Sequence, residues 1–386
     1  MIIKNAKIYI DSRFTDGCIE FDSRIRAIEP ETDGQDIPGC THTPNLSNQD
    51  VLDAQGCLLI PGLVDIHTHG AADDDSSDGS AEGLERMSRY YAAGGVTSWC
   101  PTSMTLKETD LIKAIEAIKE FRRPEDGAAI AGINLEGPFL SVKNCGAQDP
   151  ANIHVPDVDM FCRLNEAAGG MIQLVTVAPE EPCAIGFVRE ISRTCTVSIG
   201  HTVSDYAAAM AAFEAGASHV THLYNAMPPL RHRSPGVIGA AFDAGATVEL
   251  ITDGLHVDPA VIRMTHRLFG DRLVLISDSL RCTGMPDGDY TLGGQPITMQ
   301  GGRATLSGSD TLAGSAIHLM DGLRKAVSFG IPLEDAVAAA TITPTKVIGM
   351  DSEIGSIAPG KRADLVMLDE ALHIRAVFVQ GRRILS

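Results

Sequence analysis

Residues 58–70 have the sequence LLIPGLVDIHTHG, an apolar run that ends in two histidines. Short apolar runs bounded by glycine and proline are typical of buried strands in a parallel sheet. We predict that the same pattern recurs along the chain, and that eight strands end at Asp65, Thr102, Glu136, Ala178, His201, His222, Thr252 and Ser277. Ligand-type side chains lie at or just beyond most of these ends, so the sequence predicts one cluster of polar groups.

Helical patterns alternate with these runs. Residues 108–121 have apolar side chains with helical spacing, and residues 204–215 begin with a capping-type serine and stop before Gly216. Eight strands that alternate with helices favour an α/β fold, a (β/α)8 TIM-like barrel over residues 58–350. In that fold the catalytic groups lie at the carboxyl ends of the strands, where the histidines and carboxylates of this chain occur.

The two chain ends are rich in strand signals. We predict strands in residues 1–10, 18–29 and 51–59, and again in residues 364–368 and 376–379. Residues 1–57 and 351–386 are therefore expected to form a small β-sandwich beside the barrel. Residues 290–306 are predicted to form a hairpin after the eighth strand.

The composition restricts the class of partner. The chain has 386 residues, of which 44% are hydrophobic and 21% charged, and its net charge is −19. This acidic balance argues against nucleic acid and against an anionic membrane surface. No apolar run reaches the roughly 18 residues of a membrane span, and the chain begins without a signal-peptide pattern. We expect a cytoplasmic protein that acts on a small molecule.

His67 and His69 lie two residues apart on the first strand, so both side chains point to the same face. Glu136, His201 and His222 supply three further ligands with an open position for water, a set that is typical of catalytic zinc. Asp278, the remaining acid, is predicted to be a metal ligand as well, and to accept a proton from water and deliver it to a leaving amine. His219 faces the opposite way on its strand and is predicted to pack or to support a ligand.

Several strings resemble a known family. Residues 61–70 (PGLVDIHTHG) resemble the first-strand signature of the amidohydrolase superfamily. Within it, four strings resemble the N-acetylglucosamine-6-phosphate deacetylase family, namely LEGPF (135–139), GHT (200–202), THLYNAM (221–227) and DGLHV (253–257). The resemblance covers nearly the whole chain.

The resemblance implies a metal held by Glu136, His201 and His222, and a second one held by His67 and His69 and bridged by Glu136. One or two divalent ions are therefore expected. Zinc is the first choice, with iron, manganese and cobalt left open. It also implies that Asp278 is the general base and acid, and that the reaction is hydrolysis of an acetamide.

The resemblance further implies a set of substrate-binding residues, namely Gln148, Asn225, the backbone of Ala226, Arg233 and His256. Arg233 would bind the sugar phosphate from a neighbouring subunit, so a homodimer or a higher homo-oligomer is expected. Arg231 and His232 precede it so closely that the cation that meets the phosphate stays open. Gln148 stands where some members have a histidine that contacts the substrate carbonyl.

The expected reaction is hydrolysis of N-acetyl-D-glucosamine 6-phosphate to glucosamine 6-phosphate and acetate. N-acetylgalactosamine 6-phosphate is an alternative substrate. A cyclic-amide hydrolase is disfavoured, because such enzymes usually have a carboxylated lysine on the fourth strand and residues 171–178 contain none. A catalytically silent scaffold would lack ligands, and none is missing. The acidic segment 73–78 is expected to be a solvated loop or to tune substrate access.

Overall fold

The computed structural model describes residues 1–30 and 51–384. The first part of the described chain has five strands: β1 (Ile2–Ile10), β2 (Arg13–Phe21), β3 (Ile25–Pro30), β4 (Val51–Asp53) and β5 (Leu58–Pro61). The predicted strand 18–29 is wrong in its bounds, because the chain turns within it and pairs β2 with β3 in antiparallel register. The predicted domain 1–57 includes residues 31–50, which lie outside the described part of the chain.

The central part alternates strands and helices. The strands are β6 (Leu63–Thr68), β7 (Gly70–Ala71), β8 (Asp74–Asp75), β9 (Val96–Pro101), β10 (Ala129–Ile130), β11 (Ile133–Leu135), β12 (Ile172–Val177), β13 (Thr196–Ile199), β14 (His219–Val220), β15 (Thr247–Ile251) and β16 (Leu273–Ile276). The helices are α1 (Ala81–Ala93), α2 (Glu108–Glu120), α3 (Val158–Ala167), α4 (Ala184–Ile191), α5 (Tyr206–Ala215), α6 (Gly236–Ala244) and α7 (Pro259–Phe269).

The last part of the described chain returns to the first sheet. Its elements are β17 (Gly288–Leu292), β18 (Gln295–Gln300), β19 (Arg303–Leu306), α8 (Leu319–Ser328), α9 (Leu333–Ala340), α10 (Ile342–Val347), β20 (Leu365–Leu368), β21 (Ile374–Val379) and β22 (Arg382–Ile384). Strands from both ends form one sheet in the order β22-β21-β20-β5-β1-β2-β3, with β4 paired to β1. Among the residues that the structure covers, no helix is both long and apolar enough to cross a membrane.

The parallel strands form two hydrogen-bonded groups, β10-β9-β6 and β11 to β16 in chain order. A bridge between Thr102 and Asn134 joins the groups on one side. On the other side, the backbone N–H of Asp278 donates to the carbonyl of His67 at 2.9 Å. The fold is therefore α/β with a curled, TIM-barrel-like parallel sheet. The predicted strand ends lie within three residues of the observed ones.

Three local predictions are corrected. The third predicted strand is split, because β10 pairs with β9 whereas β11 pairs with β12, and Gly132 lies at the change of partner. The predicted hairpin 290–306 is a three-stranded sheet, since two Gly-Gly pairs with positive φ each turn the chain. Helix α5 begins after Asp205, whose carboxylate accepts from the N–H of Ala208 at 2.9 Å, and not after the predicted Ser204.

Trp99 is a large side chain in the main hydrophobic core. It is the single tryptophan of the chain, is fully buried in β9, and packs on Tyr91 with ring centroids 4.9 Å apart. We expect Trp99→Ala to lower the free energy of unfolding by about 3–5 kcal/mol, because the substitution leaves a cavity and the neighbouring side chains lose their packing contacts with the indole ring. Chemical denaturation followed by circular dichroism measures this. The exposed Met264 is the control, and Met264→Ala should change stability by less than about 0.5 kcal/mol.

Candidate metal centre

Six polar side chains meet at the carboxyl ends of the parallel strands. They are His67 in β6, His69 after β6, Glu136 after β11, His201 after β13, His222 after β14 and Asp278 after β16. All six are buried. The structure thus brings together the whole set of ligand-type residues that the sequence singles out.

Glu136 is the centre of the cluster. Its Oε1 lies 3.2 Å from Nε2 of His201 and 3.0 Å from Nε2 of His222. Its Oε2 lies 3.2 Å from Nε2 of His69, and Nε2 of His67 is 3.4 Å from Oε1. Two overlapping groups result, His67–His69–Glu136 and Glu136–His201–His222, and in each the ligand atoms lie within 4.8 Å of one another. One carboxylate therefore serves both groups.

Asp278 completes the cluster from β16. Its Oδ1 lies 3.4 Å from Nε2 of His69 and 3.6 Å from Nε2 of His67. The backbone φ is positive at Asp278, His201 and His222, with values of 49°, 46° and 27°. Left-handed backbone is strained for residues with a side chain. The sharp turns at these strand ends therefore aim the functional groups inward at a conformational cost.

The orientation of His67 fits a divalent cation. Its Nδ1 lies 2.8 Å from Oε2 of Glu249, so the ring proton belongs on Nδ1, where it is donated to that carboxylate. Its Nε2 is buried, has no hydrogen-bond partner within the described residues, and faces Glu136 and Asp278. A buried nitrogen lone pair beside two carboxylates is the donor set that zinc and similar cations take.

The electrostatics of the cluster point the same way. Burial would lower the pKa of His69, but hydrogen bonds with Asp278 and Glu136 outweigh it and raise that pKa to about 9. Burial would raise the pKa of Glu136, but the neighbouring imidazoles, His67 first, hold it well below its usual value. The carboxylates thus stay ionised and attract positive charge, which protons or a divalent cation can supply.

Gln148 touches the same centre. Its Nε2 donates to Oε2 of Glu136 at 2.7 Å, and its Oε1 accepts from the backbone N–H of Thr105 at 2.7 Å. The bond from Thr105 fixes which end of the amide faces the cluster. Gln148 therefore supports the shared carboxylate, a contact that the sequence did not predict.

A cavity of about 250 Å³ opens in front of the cluster. Asn225, Ala226, His256 and Gln148 line it, together with apolar side chains that include Leu280. Nδ1 of His256 lies 2.7 Å from Oδ2 of Asp253, which orients the ring. The cavity can hold a small polar molecule with one part against the histidine cluster.

Arg233 does not line this cavity. It lies with Arg231 and His232 in an exposed segment after β14. Among the residues that the structure describes, those that line the cavity include no arginine and no lysine. A strongly anionic ligand in this cavity would therefore need a cation from elsewhere.

The acidic segment 73–78 is not a solvated loop throughout. Asp74 and Asp75 are buried in the short β7–β8 pair. Arg86 donates to both carboxylate oxygens of Asp74, at 2.7 and 2.8 Å, and Arg281 donates to Asp78 at 2.7 Å. The expectation of a solvated loop is wrong for Asp74 and Asp75, because the β7–β8 pair buries both and Arg86 neutralises Asp74, whereas Asp73 and Asp78 are exposed.

Glu249 is the functional candidate that the sequence reasoning missed. It is fully buried in β15 and contacts His67 and His219. Its signal was available, because a glutamate inside the apolar run 248–251 (VELI) is costly unless it is paired. His219, predicted to pack or to support a ligand, lies 3.1 Å from Oε1 of Glu249.

Comparisons with known proteins identify relatives of this chain. Residues 58–384 match the Amidohydrolase family. The chain is 38% identical, over 84% of its length and 84% of the relative's length, to an N-acetylglucosamine-6-phosphate deacetylase of Bacillus subtilis. It is 35% identical, over 84% of its length and 87% of the relative's, to an N-acetylgalactosamine-6-phosphate deacetylase of Escherichia coli O157:H7.

A solved structure resembles the whole chain. It is a mutant N-acetyl-D-glucosamine-6-phosphate deacetylase of Mycobacterium smegmatis in complex with N-acetyl-D-glucosamine-6-phosphate. The TM-score is 0.91 at 31% sequence identity, with 100% of this chain and 99% of that chain covered.

Proposed function

This chain belongs to the amidohydrolase family, and from that premise we propose that it hydrolyses the acetamide of N-acetyl-D-glucosamine 6-phosphate to glucosamine 6-phosphate and acetate. The observation that carries the proposal is the convergence of four imidazoles on the two oxygens of Glu136. The identity of the substrate is taken from the names of the relatives. Neither a cyclic-amide hydrolase nor a silent scaffold has such support, since β12 has no lysine and the cluster is complete.

The residues of the site have separate roles in the proposed reaction. Glu136, His201 and His222 would hold one divalent cation, and His67, His69 and Glu136 a second. A cation bound there supplies a polarised carbonyl and a water of lowered pKa. Asp278 accepts the proton of the attacking water and returns it to the amide nitrogen, so that the C–N bond breaks and the amine leaves.

Gln148 has a supporting role in this scheme. Because its N–H group already donates to Glu136, it holds the shared ligand in place. Asn225, the backbone of Ala226 and His256 lie along the cavity wall and would bind the sugar phosphate. Zinc is the preferred cation, and iron, manganese or cobalt would suit the same mixed donors.

The phosphate needs a further cation. Arg233 is exposed, and the described part of the cavity wall has no lysine or arginine. A homodimer or higher oligomer in which Arg233 enters the partner's cavity would provide a planar guanidinium for the phosphate oxygens.

Arg233→Ala is expected to raise KM for the phosphorylated substrate by about 10- to 100-fold with a small change in kcat. The reason is the loss of a charge-assisted hydrogen bond that is equally strong in the bound substrate and in the transition state. Steady-state kinetics measures it. Arg231→Ala is the matched control and should leave KM within about threefold of the wild type. The reverse ranking of the two variants would assign the phosphate to Arg231.

N-acetylgalactosamine 6-phosphate is the second candidate substrate. A relative with that activity in its name is 35% identical, close to the 38% of the Bacillus subtilis relative. An acetate-release assay with both sugar phosphates and with unphosphorylated N-acetylglucosamine tests the proposal. Selectivity for N-acetyl-D-glucosamine 6-phosphate supports the proposal, and selectivity for N-acetylgalactosamine 6-phosphate supports the second candidate. Equal activity without the phosphate would contradict the phosphate assignment.

We also propose the domain division predicted above. A (β/α)8 barrel over residues 58–350 would carry the site, and residues 1–57 with 351–386 would form the β-sandwich domain. The mixed sheet built from β1–β5 and β20–β22 supports this division, because it joins both chain ends beside the parallel strands.

A further inference from the structure

Glu249 makes a set of contacts that no proposed catalytic step uses. Its side chain is completely buried in β15, behind the histidine cluster. Its Oε2 lies 2.8 Å from Nδ1 of His67 and accepts from the backbone N–H of His222 at 2.9 Å. A single carboxylate oxygen thus contacts one member of each candidate ligand group.

The far side of Glu249 is also fixed. Its Oε1 lies 3.1 Å from Nε2 of His219, and Nδ1 of that ring lies 2.7 Å from the hydroxyl of Thr247. The hydroxyl in turn donates to the carbonyl of Ser218 at 3.2 Å. The carboxylate is therefore held by neighbours on β14 and β15 and has little freedom to rotate.

The two contacts of Oε2 have separate consequences. The bond with His67 keeps the ring proton on Nδ1 and leaves the Nε2 lone pair facing Glu136 and Asp278. The bond from the N–H of His222 fixes a residue whose φ of 27° is strained. Nδ1 of His69, His201 and His222 has no hydrogen-bond partner within the described residues, so His67 is the one ligand candidate there with a carboxylate behind its ring.

We infer that Glu249, held by His219, is a positioning residue that sets the ring of His67 and the backbone of His222 so that both ligand groups can bind a cation. This inference rests on the proposed metal-dependent function. According to this inference, the position of the carboxylate oxygens matters more than their charge. A glutamine amide, which has the same shape, should therefore largely replace the carboxylate. In Glu249→Gln the amide oxygen can take the place of Oε2, because the N–H of His222 requires an acceptor there.

The experiment compares three variants that separate shape from charge. Glu249→Gln keeps the shape and loses the charge, Glu249→Asp keeps the charge but is one methylene too short, and Glu249→Ala loses both. Each protein is stripped of metal, and its affinity for Zn²⁺ is measured by competition with a chromophoric chelator. We expect the Asp and Ala variants to bind Zn²⁺ about 10- to 100-fold more weakly than the wild type, and the Gln variant to stay within about tenfold.

Asp253→Ala is the matched control, because it also removes a buried carboxylate from a histidine, but from the proposed phosphate ligand His256. It should raise KM and leave the Zn²⁺ affinity unchanged. A Gln variant that binds Zn²⁺ more weakly than the Asp variant would overturn the inference, as would wild-type affinity in both the Asp and Ala variants. A wild-type protein that binds none of Zn²⁺, Fe²⁺, Mn²⁺ and Co²⁺ would instead remove the proposed function and the inference with it. If Glu249→Ala does not fold, the comparison of Gln with Asp decides alone.

Discussion

Asp278→Asn is expected to lower kcat by about a thousandfold, because the asparagine amide cannot accept a proton from water or return one to the leaving nitrogen. Asp278 is the one carboxylate of the cluster that follows β16, and its Oδ1 lies 3.4 and 3.6 Å from the Nε2 atoms of His69 and His67. Asp278 therefore faces the group formed by these two histidines. Glu136, in contrast, belongs to both ligand groups.

The measurement has two parts. Acetate release gives kcat and KM, and elemental analysis of the same sample gives the metal content. We expect the metal content to be retained, since Glu136 and the imidazoles remain. Asp258→Asn makes the same chemical change at the N-cap of α7, outside the cavity wall, and should leave kcat within about twofold because asparagine also caps helices. Turnover by Asp278→Asn within tenfold of the wild type would exclude Asp278 from proton transfer.

The positions of the ligand-type residues could be predicted from sequence because a simple rule connects them. Parallel strands that are read as apolar runs place their carboxyl ends at one edge, so residues as distant as His67 and Asp278 must meet there. The rule does not depend on exact strand bounds. The third strand is split between β10 and β11, yet Glu136 still follows the segment that pairs with β12.

The supporting contacts could not be predicted in the same way. Glu249 interrupts the otherwise apolar strand β15 and so predicts a paired buried carboxylate, but the strand pattern does not identify His67 and His219 as its partners. The bond from Gln148 to Glu136 depends on the path of the loop that follows β11, which strand and helix patterns do not determine. The burial of Asp74 depends on Arg86, which lies on the following helix α1. Such contacts arise from tertiary packing, and sequence periodicity does not encode them.

Glu136→Gln is expected to weaken cation binding by roughly 200- to 5000-fold, the effect of about 3–5 kcal/mol for the loss of one partner from a buried charge cluster. The amide is also constrained in its orientation. Because Gln148 donates to the position of Oε2, the oxygen of the new amide must face Gln148. Its NH₂ group then takes the place of Oε1, beside Nε2 of His201 and His222.

That orientation makes the variant informative about both ligand groups. An NH₂ group would donate to the lone pairs of His201 and His222 and so block the group to which they belong. The group with His67 and His69 would keep a neutral oxygen beside Nε2 of His69, whereas the NH₂ group would also face Nε2 of His67. That contact is the longest of the three made at the Oε1 position, at 3.4 Å, so this group should lose less affinity. In a protein that binds two cations, metal titration of Glu136→Gln should therefore reveal one weak site, whereas a protein that binds one cation through His201 and His222 should show none.

Adding Gln148→Ala distinguishes the blocking amide from the lost charge. Without the donor at the Oε2 position, the amide of Glu136→Gln can turn and present its oxygen to His201 and His222. The double variant should therefore recover part of the cation affinity that the single variant loses, and Glu181→Gln, whose carboxylate accepts from Ser141 outside the cluster, should bind cations as the wild type does. Wild-type metal content in Glu136→Gln would mean that the shared carboxylate is not a ligand, and the hydrolytic centre would then have to be sought in another part of the cavity.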